Sequence, residues 1–241
     1  MSAGFVSKTL ALTSKDLRVE WRGRDTLPPM IAFAITVALL LAFAVPDTTS
    51  LDQAVESPVG AVALSDVIAA FLWITILFAG LIGFARTFEV EREQGAIEPL
   101  LLAPLDLGGV FAAKALANLA FVCIVEIVLV PVLAVMFGIH LGADWATFAL
   151  VIALVDIGFV SVGTLFASLA AQTRSRELIL PILALPVLVP VFIAAFELSS
   201  DLFAGNGLEA VAARGWFGIL IAYDIVFTTV AALMFEFVLD A

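Results

Sequence analysis

The stretch FAAKALANLAFVCIVEIVLVPVLAVMF, residues 111–137, decides the fold. Lys114 and Glu126 are its only formally charged side chains, and the rest is almost wholly apolar. About 20 such residues cross the ~30 Å hydrocarbon core of a bilayer as a helix. In water the same segment would expose a large aggregating surface. Lipid offers a backbone N–H no partner outside its own segment, so a spanning segment must be helical.

Outward from it, five more apolar runs cover residues 28–45, 67–87, 145–170, 178–197 and 215–238. Hydrophobic residues make up 63% and charged residues 14% of the 241. Globular chains stand near 45–50% and about 25%. The expectation is an all-α integral membrane protein, a single membrane domain over 1–241 with six transmembrane helices. The first apolar run is too late and too long for a cleavable signal peptide. A net charge of −11 excludes a basic nucleic-acid surface.

Basic residues set the orientation. Lys8, Lys15, Arg18, Arg22 and Arg24 precede the first span, Arg86, Arg92 and Lys114 flank the second connection, and Arg174 and Arg176 lie in the fourth. Arg214 alone falls on the other side. Both termini are therefore expected in the cytoplasm. Trp73, Trp145 and Trp216 are expected at the outer ends of their spans, where an amphipathic indole is best placed, and Trp21 at the inner face. Residues 1–27 read as an interfacial amphipathic elbow helix. Val6, Leu10, Leu17 and Trp21 share one face and Lys8, Lys15, Arg18 and Arg22 a broadly opposite one, near anionic headgroups.

The connection over 88–110 carries the densest local signal. Glu89, Glu91 and Glu93 close the second span, Gly95 permits a sharp reversal, and the apolar Ile97 and Leu100–Leu102 lie between acids and the prolines Pro99 and Pro104. Such a greasy turn is suited to docking another protein or to touching headgroups.

Glu126, Asp156 and Asp224 fall near the middle of the third, fourth and sixth spans. An ionised carboxylate there costs at least ~2.5–3.5 kcal/mol, so these side chains should face the protein interior or a wet cavity. No lysine or arginine shares their depth, so neutral, hydrogen-bonded side chains are expected. They suit either a polar lining or helix–helix hydrogen bonds. Pro181, Pro186 and Pro190 should kink or partly break the fifth span, making it a candidate hinge. His140, the sole histidine, sits in an outer turn and is a weak candidate ligand for haem iron. The single cysteine, Cys123, reads as a small packing residue, and no other metal site is expected. The sequence holds no G-x-x-x-x-G-K-[ST], H-E-x-x-H or G-x-S-x-G, so neither a P-loop ATPase nor an enzyme site of those kinds is indicated.

The run Glu93-Gln-Gly-Ala-Ile-Glu-Pro-Leu-Leu-Leu-Ala-Pro-Leu105, with Ala113-Lys114 after it, resembles the haem exporter permease family of cytochrome c maturation, CcmB. That family carries D/E-x-x-x-G-x-L/I-E-x-L-x-L-x-P-L there, and Leu185-Pro186-Val-Leu-Val-Pro190 matches its proline run. The resemblance implies an ABC-2-like permease in the inner membrane. Its expected partners are a separate ABC ATPase subunit that binds ATP, a haem-handling membrane subunit, a small single-span subunit and a periplasmic haem chaperone. Haem is then a substrate or the cargo of the chaperone, and no directly bound cofactor is expected. ATPase docking falls on Glu93, Gly95, Ile97, Glu98, Leu100, Leu101 and Pro104. The alternatives are an ABC-2 permease for a lipid, drug or polysaccharide, or a non-transporting scaffold.

Overall fold

The computed structural model describes residues 4–45, 54–57, 60–88, 107–171 and 176–239. In chain order these form α1 (Phe5–Gly23), α2 (Leu27–Ala44), β1 (Ala54–Ser57), β2 (Gly60–Ala63), α3 (Leu64–Arg86) and α4 (Leu107–Phe137). A 3-10 turn over Gly142–Asp144 leads into α5 (Trp145–Ala171), followed by α6 (Arg176–Phe203), α7 (Leu208–Ala213) and α8 (Trp216–Leu239). Among the described residues, α2, α3, α4, α5, α6 and α8 are long and apolar enough to cross a membrane. α1 and the described part of the connection between α3 and α4 lie at one end, called here the basic end. Arg214 lies at the other end.

The entry to α2 shows how local sequence builds a helix start without exposed donors. A helix leaves its first N–H groups without partners. Here Pro28 and Pro29 have no N–H to satisfy. The Glu20 carboxylate accepts the N–H of Thr26 at 2.9 Å and of Leu27 at 2.8 Å. A negative charge also suits the positive end of the helix dipole. Arg24 adopts a left-handed conformation (φ 58°) and its N–H returns to the Glu20 carbonyl, which turns the chain sharply from α1 into α2.

α3 and α5 are the most enclosed spans, and α2 and α8 the least. α5 packs on α6 and α8, and α3 on α6 and α2. Phe43, Ile127, Val135 and Ile225 point outward, as lipid-facing residues should. At the crossing of α3 and α5 each helix offers a glycine to the other's ring. Phe159 fills the space over Gly80, and Phe84 fills that over Gly163. The two rings meet edge to face at 4.9 Å between centroids. Small residues allow this close backbone approach, the general device of helix association in lipid.

Several expectations change in detail. β1 and β2 pair antiparallel, with Ala54 opposite Ala63, inside the connection 46–66 between the first two spans. α4 starts at Leu107 rather than 111, and α6 runs on to Phe203, beyond 197, because apolar packing continues there. α6 is one continuous helix through Pro181, Pro186 and Pro190, so the expected partial break is absent. Pro190 leaves the carbonyl of Pro186 without its helical donor. Beside it, the Tyr223 hydroxyl of α8 donates to the Val187 carbonyl at 3.0 Å.

Trp73 departs from its expected place at the interface. It is 2% exposed, its indole N–H donates to the Ser199 hydroxyl at 2.9 Å, and its ring meets Phe192 edge on. A buried indole needs such a partner, and α6 supplies one. Trp145, by contrast, is exposed at the start of α5, and Trp216 is half-buried at the start of α8.

Arg214 pairs with Asp201 at 3.1 Å and Glu197 at 3.5 Å, joining the turn before α8 to α6. Its side chain is 52% exposed, so solvent screens the attraction. Arg214→Ala is expected to lower stability by no more than ~1 kcal/mol, read from thermal unfolding in detergent. A larger loss would mark the pair as structurally essential.

Candidate docking site at the basic end

The residues expected to dock a partner, Glu93, Gly95, Ile97, Glu98, Leu100, Leu101 and Pro104, lie outside the described residues. Their two anchorages are described, and one side chain holds both. Lys114, in the second turn of α4, is 2% exposed. Its ammonium pairs with Asp16 of α1 at 3.0 Å and donates to the Thr87 carbonyl, just past α3, at 3.1 Å. It also lies 5.3 Å from the centre of the Phe88 ring, a cation–π distance. The last described residues before 89–106, Thr87 and Phe88, thus sit beside a lysine of the helix that follows that segment.

The contacts extend on both sides. The Thr13 hydroxyl donates to the Ala113 carbonyl at 3.2 Å, seating α1 along α4. The Thr87 hydroxyl donates to Asn118 Oδ1 at 3.1 Å, and the Asn118 amide donates to the Thr164 hydroxyl of α5 at 3.0 Å. α1, α3, α4 and α5 are therefore tied by one polar chain at the basic end.

α1 packs on the bundle through Thr9, Thr13 and Glu20, all buried, with Leu12 and Leu17 partly buried against the core, so Leu17 leaves the expected outward stripe. Val6, Leu10 and Trp21 remain exposed, Trp21 at 79%. A soluble protein would bury this apolar stripe. Leaving it outward while burying threonines makes sense where acyl chains receive it. Lys15, Arg18 and Arg22 line a shallow open groove along the neighbouring face.

The three intramembrane acids are all buried. The structure brings Glu126 of α4 and Asp156 of α5 together, with the Cys123 thiol beside Asp156 at 3.6 Å. Cys123 is thus part of a polar group rather than only a packing residue. Its i, i+3 spacing from Glu126 was the available signal. Asp224 of α8 lies instead against Gly158 of α5, whose missing Cβ makes room for the carboxylate. His140 is exposed in the turn after α4. Among the described residues it joins no cluster of metal-ligating side chains. In the sequence Lys114 marks orientation and belongs to the Ala113-Lys114 family pattern, neither of which signals a buried clamp.

Six spans, a buried basic clamp beside the end of α3 and an amphipathic helix along the surface define a multi-pass membrane protein. Comparison with known proteins gives the family. The model of the CcmB protein family matches residues 7–240, and the chain belongs to that family. Heme exporter protein B of Rhodobacter capsulatus is 31% identical over 189 residues, covering 78% of this chain and 80% of the relative. Its counterpart from Paracoccus denitrificans is 30% identical over 190 residues, with the same coverage of 78% and 80%. That of Pseudomonas aeruginosa is 27% identical over 184 residues, covering 76% of each chain.

Proposed function

We propose that this chain is the permease subunit of an ATP-driven haem exporter serving c-type cytochrome maturation. The observation that carries this is its family membership over residues 7–240, together with relatives named heme exporter protein B. The basic end is then cytoplasmic by the positive-inside rule, and the membrane is the inner one. ATP is bound and hydrolysed by a separate subunit that docks on residues 89–106, within an assembly that also holds a haem-handling membrane subunit, a small single-span subunit and a periplasmic haem chaperone.

The Lys114 clamp supports a mechanical role for that connection. A pull on 89–106 meets Thr87 and Phe88 at one end and α4 at the other, and Lys114 passes it to α1 through Asp16. The ATPase biases the bundle only if it binds the connection differently in its two nucleotide states. Movement then reaches α5 through Asn118 and Thr164. Haem delivery to the chaperone, or its release, is the output of that cycle.

Substituting Gly95→Val together with Glu98→Lys is expected to reduce the ATPase subunit recovered with this chain by about tenfold, the effect of ~1.4 kcal/mol of lost contact energy. Unchanged recovery would remove 89–106 from the docking surface. ATP-dependent haem release from the reconstituted assembly separates an exporter from a scaffold.

A further inference from the structure

Among the described residues, one cluster brings three metal-ligating side chains together. Cys123 and Glu126 lie on one face of α4, and Asp156 comes from α5. Their ligating atoms all lie within 4.8 Å of one another. Glu126 is 4% exposed and Asp156 2%. Glu126 Oε1 and Asp156 Oδ1 nonetheless have no hydrogen-bond partner unless the two carboxyls share a proton. A buried unpartnered carboxylate is costly, and two side by side also repel. Lys114 cannot relieve them: the helical rise puts it roughly 18 Å from Glu126 along α4, and it is held by Asp16. The pair is relieved either by a proton shared between the two carboxyls or by a bound cation.

We propose that Cys123, Glu126 and Asp156 bind a soft divalent metal ion of the zinc class between α4 and α5. The sulfur decides the class. Thiolate ligands favour zinc and its congeners, whereas calcium and magnesium take six or more oxygens. Zinc distances of about 2.3 Å to sulfur and 2.0–2.2 Å to oxygen place ligands ~3.4 Å apart in a tetrahedron. Cys123 Sγ and Asp156 Oδ2 already stand 3.6 Å apart, and the ligating atoms of all three lie within 4.8 Å. A thiolate and one carboxylate balance a divalent ion, and the loaded site is neutral when the second carboxyl keeps its proton and binds through its carbonyl oxygen. Three protein ligands leave the fourth position for water or a further ligand. The ion would also cross-link the two helices that the Asn118–Thr164 bond already joins nearer the basic end.

The test uses the purified full-length chain in detergent, stripped with a membrane-permeable chelator and titrated with Co2+. Uptake of one ion per chain is expected, with thiolate-to-cobalt charge-transfer absorption in the near ultraviolet. Added Zn2+ should abolish that absorption. Cys123→Ser should remove the absorption, and Glu126→Gln and Asp156→Asn should each weaken Co2+ binding by about tenfold or more. These substitutions nearly conserve shape, and a single symmetric gel-filtration peak confirms folding. Folded protein without the absorption overturns the proposal, as does absorption that survives Cys123→Ser. Carbodiimide modification of Glu126 or Asp156 that saturating Zn2+ fails to prevent also overturns it, because the pair then holds a proton in place of a metal.

Discussion

Lys114→Met is expected to destabilise the protein by about 3–5 kcal/mol, the cost of removing one partner of a buried ion pair. The substitution keeps the length and bulk of the side chain, so the loss is electrostatic. Asp16, its side chain only 12% exposed, would lose its buried partner and keep the half-exposed Lys15 at 3.1 Å. The Thr87 carbonyl would lose its donor, and the cation over the Phe88 ring would go. α1 should then loosen from α4, with Thr13 as its remaining polar tie to Ala113. The measurement is thermal unfolding in detergent, with limited proteolysis of the N-terminal segment as a local readout. Adding Asp16→Leu should recover much of the stability, because replacing both members of a buried pair with apolar groups is often neutral or better. Haem export should not recover with it if the clamp transmits movement. Full recovery of both would reduce Lys114 to a structural pair.

Gly163→Ala should be nearly as damaging, for a steric reason. A Cβ built on Gly163 would sit 2.1 Å from Phe84, and one on Gly80 2.3 Å from Phe159. No side chain tolerates such distances, so ring or backbone must move. Overpacking of this kind costs typically 1–3 kcal/mol, and the upper end is expected because both rings are about 1% exposed or less. The same change at Gly218, where a Cβ meets nothing within 4 Å, is the control and should be close to neutral. Gly163→Ala combined with Phe84→Leu should be less harmful than the sum of the two, with a coupling energy above ~0.5 kcal/mol. Strict additivity in detergent unfolding would show that ring and glycine do not share this contact.

The spans were legible in the sequence, since the hydrocarbon thickness sets a length and lipid forces the backbone into helices. Their ends were less so. The extension of α6 through Ser199, Ser200 and Asp201 reads as loop by composition. Trp73 and Asp66 of α3 bind Ser199 and Ser200 and make that last stretch part of the bundle. The candidate docking connection was visible as a run of acids, glycine and prolines. The clamp beside the end of α3 was not, because a lysine at the end of an apolar run has the same appearance whether it reaches for headgroups or for an aspartate a hundred residues away.

Sequence by itself determined that this chain crosses a membrane, how often, which end carries the cations, and the family to which it belongs. Tertiary structure alone decided that Lys114 faces Asp16, that Phe84 and Phe159 interlock over glycines, and that Cys123, Glu126 and Asp156 converge. The physical reason is that helices such as α4 and α8 are apolar nearly all round. In water an apolar stripe announces the buried face of a helix. In lipid both sides of a span are greasy, so the pattern carries no such mark, and the meeting of helices is settled by small residues and polar pairs far apart in the chain.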